Sequence, residues 1–182
     1  MQVDNRLFSY ALAIFSITRD KDTQIKFYQQ IAALDVMNTT NTDFASILSA
    51  RSIDKDERKE LAKTVLTGYG FDPTVIYWVW TIIDNNVYHN FHLIFTMCRD
   101  IYYTIFNIIR VKITSSSDLS EAQMDKIKDF FEKKQNKKVD IEWQIKPDLI
   151  GGLRIQVNNK TYNNTYRNKL NLLKKELLSK KG

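Results

Sequence analysis

Few side chains in this sequence stand at a spacing that supports chemistry. His89 and His92 are three residues apart, so a helix would place both imidazoles on one face, and Cys98 is the one further soft ligand nearby. Two histidines and a lone cysteine fall short of a tetrahedral site, and the pattern predicts no metal centre. Gly68-Tyr69-Gly70 has neither the lysine of a phosphate-binding loop nor a preceding strand, which indicates the end of a helix.

Signals for catalysis, secretion and membrane insertion are also missing from the sequence. There is no G-x-S-x-G motif and no credible triad, so we predict no catalytic residue and no cofactor. The single cysteine excludes an intrachain disulfide and favours a reducing compartment. The first six residues contain an acid and no apolar stretch, and the longest apolar runs are broken by charges, so we expect no signal peptide, no membrane span and a soluble chain.

Composition favours helices. The 182 residues are 43% hydrophobic and 26% charged, which is typical of a globular chain with a real core. Only 5 glycines and 2 prolines are present, and sandwiches or barrels need turn residues far more often. We therefore expect long helices joined by a few turns.

Charge and periodicity both change near Ile109. Residues 1–110 carry 11 Lys/Arg against 12 Asp/Glu, whereas residues 111–182 carry 16 against 9, a net charge of +7. Such an asymmetry often marks a domain boundary or a basic interaction surface. We predict two domains, a helical bundle over residues 1–108 and an α/β domain over residues 109–182.

Six helices are predicted before the boundary. Apolar spacing predicts the first helix over Asn5 to Arg19. Capping and proline signals start the next four at Asp22, Thr42, Asp54 and Asp72-Pro73, with the fifth ending at about Asp84. The sixth follows Asn85 and Asn86 and runs through Phe91 to Ile105. Short connections between them are typical of a compact bundle. The predicted fold class is mainly α with a small α+β part.

Period-two alternation dominates after Ile109 and predicts strands through Val111 and Ile113, through Val139 to Ile145, and through Leu153 to Val157. Ser120 with Gln123 three residues later is a capping box that opens a helix between the first two strands. Gly151-Gly152 and Asn158-Asn159 mark turns. Tyr166, Leu170, Leu173 and Leu177 form the apolar stripe of a predicted final helix.

The first and fifth helices are more apolar than a small bundle requires. At 100° per residue, the apolar residues of Leu7 to Ile17 leave only a narrow polar gap around Ser9 and Ser16, and Val75 to Ile83 repeats this anomaly. Either both helices are simply core, or their outer faces form a groove that receives a partner helix.

The basic half carries a family motif. It reads Val139-x-Ile141-x-x-x-Ile145-Lys146-x-x-Leu149-x-Gly151-Gly152-Leu153-x-Ile155-Gln156-x-Asn158. This stretch resembles the signature of the delta subunit of F-type ATP synthases, the oligomycin-sensitivity-conferring protein of mitochondria. Ser9-Tyr10-Ala11-x-Ala13-x-Phe15 is similar to the opening helix of that family. The chain departs from the family at Asn163-Asn164-Thr165, where Asp-Gly-Ser is usual.

The resemblance implies a non-catalytic stator subunit that links the catalytic head to the peripheral-stalk b subunits. In this family, a groove between the first and fifth helices receives the N-terminal helix of an alpha subunit; the residues expected to line it are Phe8, Leu12, Phe15, Ile76, Trp80 and Ile83. The apolar seat expected for the b-subunit helix ends comprises Leu149, Ile150 and Leu153. The subunit would not be a homo-oligomer and would lie at the cytoplasmic face of a bacterial membrane, attached through the complex.

A basic nucleic-acid-binding module is the alternative. The basic half has Trp143, Tyr162 and Tyr166 among its lysines, and surfaces that combine cations with aromatic rings bind RNA. Neither a recognition helix nor an RNP-type aromatic motif is present, and Tyr166 fits a buried stripe. The basic charge suits acidic stalk helices equally well.

Overall fold

A computed structural model describes residues 5–149, 151–157 and 160–165 of the chain, with side chains described as far as residue 163. The chain divides into two compact units, Met1–Tyr102 and Tyr103–Gly182. Among the described residues it is mostly helical with one four-stranded sheet, as the predicted fold class requires.

The helices that precede the first strand share one core. They are α1 (Asn5–Ser16), α2 (Lys21–Thr40), α3 (Thr42–Ser49), α4 (Lys55–Gly68), α5 (Pro73–Asp84) and α6 (Phe91–Ile105), with a 3-10 turn at Tyr88–Asn90. Each of these helices contributes buried side chains to the same hydrophobic cluster. The cluster is the core of the first unit.

Local capping chemistry sets where these helices begin. The carboxylates of Asp54 and Asp72 accept hydrogen bonds from backbone amides two residues on, as predicted, and the Thr74 amide holds the pKa of Asp72 below its ordinary value. The predicted starts of the second and third helices are wrong. Asp20, not Asp22, caps α2, and Asn41 caps α3 because its amide oxygen accepts from the Phe44 amide at 3.1 Å. Thr42 is already the first residue of α3.

α5 is the most deeply buried helix of the first unit. Val75, Val79 and Ile82 are completely shielded from solvent. Its two tryptophans turn their polar edges to backbone carbonyls of neighbouring helices, since Trp78 Nε1 donates to Tyr10 O at 2.9 Å and Trp80 Nε1 donates to Lys59 O at 3.0 Å. The indole hydrogen bonds tie α5 to α1 on one side and to α4 on the other.

The second unit contains a βαβ crossover followed by a hairpin. Its elements are β1 (Ile108–Ser115), α7 (Glu121–Gln135), β2 (Lys138–Ile145), β3 (Gly152–Val157) and β4 (Lys160–Thr165). The strand order is β2-β1-β3-β4, with β1 parallel to β2 and antiparallel to β3, and with β3 antiparallel to β4. The strands therefore lie where the period-two alternation predicted them.

The two faces of the sheet differ in polarity. Val111, Ile113 and Val157 are buried in a second hydrophobic cluster together with Phe131 of α7. The other face carries the ion pair between Lys112 Nζ and Glu142 at 3.1 Å. Alternate residues of β1 thus pack under α7 or lie on the opposite face of the sheet.

The backbone at Gly151-Gly152, a turn predicted from the sequence, has the conformation that glycine favours. Gly151 and Gly152 have φ values of 128° and 87°, a backbone region in which side chains other than glycine are strained. The predicted turn at Asn158-Asn159 and the predicted final helix with Tyr166, Leu170, Leu173 and Leu177 lie outside the described residues.

The capping box of α7 gives a direct test of this unit. The Ser120 hydroxyl accepts from the Gln123 amide at 3.3 Å, and the Gln123 side chain accepts from the Ser120 amide at 2.9 Å. Ser120→Ala should destabilise the start of α7 by about 1 kcal/mol, so its amides should exchange with deuterium about fivefold faster.

Hydrogen–deuterium exchange resolved by peptide measures this effect. Ser117→Ala, a change at an exposed serine of the preceding loop, is the matched control and should leave α7 exchange unchanged. Equal exchange in both variants and the unmodified chain would show that the box contributes nothing.

Candidate functional site

The residues that suggested metal chemistry are separated in the structure. His89 Nε2 lies 2.9 Å from the side-chain Nδ2 of Asn90, whereas His92 Nδ1 lies 3.1 Å from Asp35 Oδ1. Cys98 is buried in the first core. Within the described part of the chain, no three His, Cys, Asp or Glu side chains are grouped so that they could hold a metal ion.

Cys98 is chemically quiet because of its surroundings. Its thiol lies 4.0 Å from the Ala11 carbonyl, and burial raises the pKa of the thiol to about 12. At pH 8, a group of this pKa is thiolate in only about one molecule in ten thousand, and the thiolate is the reactive form. Cys98 therefore functions as a small core residue.

The outer side of α1 carries apolar side chains that its own unit leaves uncovered. Leu7, Ala11 and Ile14 turn inward, whereas Phe8 and Leu12, which we call the α1 strip, are 39% and 46% exposed. They lie one turn apart on the same side of the helix, so together they form a continuous apolar surface.

The structure buries most of the residues predicted to line a groove between α1 and α5. Phe15, Ile76 and Ile83 are at most 7% exposed and belong to the first core, while Trp80 is partly buried against it. Of the six predicted lining residues, only Phe8 and Leu12 are open to a partner. The neighbouring helices cover most of α5, whereas Tyr77 on its outer side is 61% exposed.

The second unit has an apolar groove that the sequence analysis did not predict. A cavity of about 380 Å³ lies beside α7, above β3 and β4. It is lined by Lys126, Ile127, Phe130, Phe131, Ile155 and Tyr162, and we call it the α7 groove. Phe130 is 55% exposed and Tyr162 is 41% exposed, so the groove opens to solvent.

A lysine stands over the mouth of the α7 groove. Lys134 Nζ lies 5.3 Å from the Phe130 ring centre and 5.2 Å from the Tyr162 ring centre. The same ammonium group donates to the Tyr162 hydroxyl at 3.4 Å. Attraction between the cation and both ring faces holds a positive charge at the edge of the apolar surface.

Two residues of the predicted stalk seat, Leu149 and Leu153, lie on different elements of the second unit. Leu149 ends a 3-10 turn at Pro147–Leu149 and is half-buried, while Leu153 packs against the second core from β3. Ile150 lies outside the described residues. Leu153 and Ile155 are alternate residues of β3, so the seat and the α7 groove share one face of that strand.

Phe130 is not among the site residues predicted from the sequence, although the sequence contains a signal for its exposure. Phe130 and Phe131 are consecutive, and on a helix consecutive side chains point about 100° apart, so both cannot enter the same core. That pair was a usable signal of an exposed aromatic ring. Tyr162 carried no such signal, because its exposure depends on how far α7 extends over the sheet.

An exposed apolar strip on a mainly helical unit and an open apolar groove on an α/β unit are typical of proteins that dock onto other proteins. The family model described as the ATP synthase delta (OSCP) subunit matches residues 8–177, and the chain belongs to this family. The resemblance predicted from the sequence motif is confirmed. The family is a stator component of ATP synthase.

Individual relatives align with this chain over nearly their full length. The chain is 28% identical over 171 residues to a protein of Mycoplasma mobile called ATP synthase subunit delta, and the match covers 94% of each chain. A protein of the same name from Caldanaerobacter subterraneus is 25% identical over 169 residues, or 92% of this chain and 93% of its own.

A solved structure shares the fold. A chain of the mitochondrial ATP synthase hexamer of Toxoplasma gondii, determined by cryo-electron microscopy, superposes with a TM-score of 0.76 at 14% identity, over 94% of this chain and 97% of that chain. None of the described helices of the present chain is both long enough and apolar enough to cross a membrane.

The inert state of Cys98 gives a second prediction. In the folded chain at pH 8, a thiol reagent such as DTNB should modify Cys98 at least about a hundredfold more slowly than in the chain unfolded in guanidinium chloride, because burial removes both access and thiolate. Absorbance of the released thiolate measures both rates. Rapid stoichiometric labelling of the folded chain would contradict the burial described above.

Proposed function

We propose that this chain is the non-catalytic stator subunit of a proton- or ion-translocating F-type ATP synthase. In this proposal, the helical unit attaches to the catalytic head and the α/β unit attaches to the peripheral-stalk b subunits. The observation that supports it most strongly is the family match over residues 8–177, which includes both the α1 strip and the α7 groove. A connector needs two attachment surfaces, and each unit offers one.

The proposed role is mechanical. Rotation of the central shaft exerts torque on the head, and a head that is free to turn would rotate with the shaft. A tie between the head and the membrane sector prevents this and couples ion flow to ATP synthesis or hydrolysis. The chain itself performs no reaction in this proposal and needs no cofactor.

The α1 strip is the surface we assign to the head, with the N-terminal helix of an alpha subunit as the partner. Burying a side chain such as Phe8 or Leu12 contributes about 1.5 to 3 kcal/mol before the costs of ordering the partner. Phe15, Ile76 and Ile83 are packed inside the core. An amphipathic helix that lies along α1 would complete the coverage of its outer side.

Leu12→Asp tests this assignment. The charge would stand in the middle of the proposed contact and should weaken binding of an alpha-subunit N-terminal peptide by at least tenfold, as measured by isothermal titration calorimetry. The fold should survive, because Leu12 is 46% exposed.

Ala13→Asp is the matched control, since Ala13 is exposed on α1 but points about 100° away from Leu12. Its affinity should stay within twofold of the unmodified chain. Equal affinity of the two variants, both with native circular dichroism, would mean that the head contact lies elsewhere.

The stalk contact is proposed to rest on packing, with charge as a second contribution. Leu149, Ile150 and Leu153 remain the seat proposed from the sequence, with lysines such as Lys160 at its rim. An exposed ion pair contributes only about 0 to 1 kcal/mol and is screened by salt. Higher ionic strength should therefore slow association more than it weakens the final complex.

The two units are proposed to be separable domains. A fragment of residues 1–107 retains all of α1 to α6 and omits β1, so it should melt cooperatively and bind the alpha-subunit peptide within threefold of the full chain. Differential scanning calorimetry and titration calorimetry measure the two properties. A fragment that lacks a cooperative transition would show that the helices depend on the rest of the chain.

The nucleic-acid alternative has weaker support. Trp143 Nε1 donates to Ser115 Oγ at 2.8 Å and the indole packs against the second core, so this ring is engaged within its own unit. Tyr162 lies beside Lys134 in the α7 groove, and Tyr166 lies outside the described residues. A salt-dependent gel shift with single-stranded oligonucleotides distinguishes the two functions, and we expect no shift at 0.15 M salt.

The proposed location is the cytoplasmic face of a bacterial cell membrane, reached through the complex and not by insertion. The bacterial source of the relatives from Mycoplasma mobile and Caldanaerobacter subterraneus supports this location. One copy would act as the connector, so the chain is not expected to form a homo-oligomer.

A further inference from the structure

A polar pocket of about 610 Å³ lies in the first unit, where the end of α3, the start of α4 and the end of α5 come together. Its lining includes four cations, which are Arg51, Lys55, Arg58 and Lys59, and three aspartates. Neither the α1 strip nor the α7 groove shares a residue with it. We call it the α4 pocket.

Arg58 of α4 lies at the floor of the α4 pocket, since it lines the pocket and yet is only 2% exposed. Its guanidinium group reaches two neutral acceptors. Nη1 donates to the Leu48 carbonyl near the end of α3 at 3.2 Å, and Nη2 donates to Asn86 Oδ1 at 3.1 Å. Nε is buried and has no hydrogen-bond partner among the described residues. The floor therefore holds a cationic donor that is only partly used.

The charge of Arg58 also lacks a counter-ion. In the part of the chain that the structure describes, Arg58 forms no ion pair, and its two acceptors carry only partial charges. Burying a charge is costly unless an opposite charge or well-placed dipoles compensate it. The Leu48 carbonyl at the C-terminal end of α3 supplies part of this compensation. An anion in the pocket would supply the rest.

The aspartates of the α4 pocket are engaged elsewhere. Asp56 and Asp84 both hold Lys59, at 2.8 and 3.0 Å from its Nζ. The hydrogen bond between Lys59 and Asp56 raises the pKa of the ammonium group and lowers the pKa of the carboxyl group, so both stay charged at neutral pH. Asp54 caps α4 by accepting from the Asp56 amide at 2.8 Å. Lys59 is thus neutralised, whereas the other three cations are not.

Two of these cations stand at the rim. Arg51 and Lys55 are exposed, and neither forms an ion pair within the described ranges. Lys55 Nζ donates to the Asp84 carbonyl oxygen at 2.8 Å, which holds the ammonium group beside the pocket. Arginine and lysine bind phosphate oxygens through charge-assisted hydrogen bonds. A phosphate group carries more negative charge and more acceptor oxygens than a carboxylate, so it matches three cations better.

We propose that the α4 pocket binds a small oxyanion of the phosphate class. Arg51 and Lys55 hold its oxygens at the rim, and Arg58 supplies positive charge from the floor. The N-terminal end of α4 is not the basis of this site, because Asp54 already caps it. The pocket is separate from both proposed attachment surfaces, so the inference goes beyond the stator function and does not depend on it. Free phosphate and the phosphate groups of a nucleotide share this chemistry.

Titration of inorganic phosphate into the full chain tests the proposal, with nitrogen-15 NMR as the readout and ionic strength held constant. The Nε–H resonance of Arg58 and the backbone amides at the start of α4 should shift together and saturate, with a Kd below about 10 mM. Shifts that are confined to the basic second unit, or that leave Arg58 unmoved, would overturn the inference.

A rim variant with a matched control separates a specific site from general charge. Arg51→Gln combined with Lys55→Gln removes two exposed charges and should raise Kd at least about fivefold with the fold intact. Lys63→Gln removes one charge at an exposed position two turns after Lys55, outside the pocket, and should change Kd less than twofold. Equal Kd values for these two proteins, both with native circular dichroism, would contradict the proposal.

Arg58 itself is tested through stability, because a ligand that binds only the folded chain raises its melting temperature. Saturating phosphate should raise the melting temperature of the unmodified chain and leave that of a folded Arg58→Gln variant unchanged. An equal rise in both proteins would show that Arg58 takes no part. Should Arg58→Gln fail to fold, the rim variant decides the outcome.

A parallel titration with magnesium-free ATP distinguishes the two sources of the oxyanion. Saturation of the Arg58 shift by ATP at a concentration at least about tenfold lower than by phosphate would support the site and assign it to a nucleotide. Saturation by phosphate alone would support the site and assign it to the free ion. If neither ligand moves the Arg58 resonance, the α4 pocket is not an oxyanion site.

Discussion

The burial of α5 is the constraint on which the helical unit depends. Val75, Val79 and Ile82 have no exposed surface, so other helices must surround α5 on most sides. The buried sides of α5 cannot face water, and their packing fixes the positions of the neighbouring helices. The Trp78 indole donates a hydrogen bond to the Tyr10 carbonyl of α1 and so fixes how α1 lies against α5. α1 consequently has one side in the core and one side, with Phe8 and Leu12, open to a partner.

The α/β unit also exposes an apolar surface, but for a different structural reason. Among the described residues, the crossover helix α7 covers only part of the four-stranded sheet, and Ile155 and Tyr162 line the groove beside it. In both units, a helix or strand buries apolar residues on one side and carries further apolar residues on another side. The described neighbours of that helix or strand do not cover the second set. A protein that transmits force between two other proteins needs such surfaces, because packing contacts withstand salt better than exposed ion pairs do.

Much of this architecture could be predicted from the sequence because local chemistry determines it. Asp72-Pro73 placed the start of α5, and Ser120 with Gln123 placed the start of α7, since capping needs only nearby atoms. Alternation assigned Val111 to the buried face of β1. The site residues were harder to predict. Ile83 has the same apolar character as Leu12, and only the tertiary arrangement decides that one is buried and the other exposed.

In the proposed function, this chain ties the catalytic head to the membrane sector. The tie can be tested with membranes that carry the complete ATP synthase, are stripped of this subunit and are then reconstituted with it, by measuring ATP-driven ion pumping beside ATP hydrolysis. We predict that hydrolysis persists without the subunit, that pumping is lost, and that adding the purified chain restores pumping. Pumping at the full rate in its absence, with the subunit verified as removed, would contradict the account.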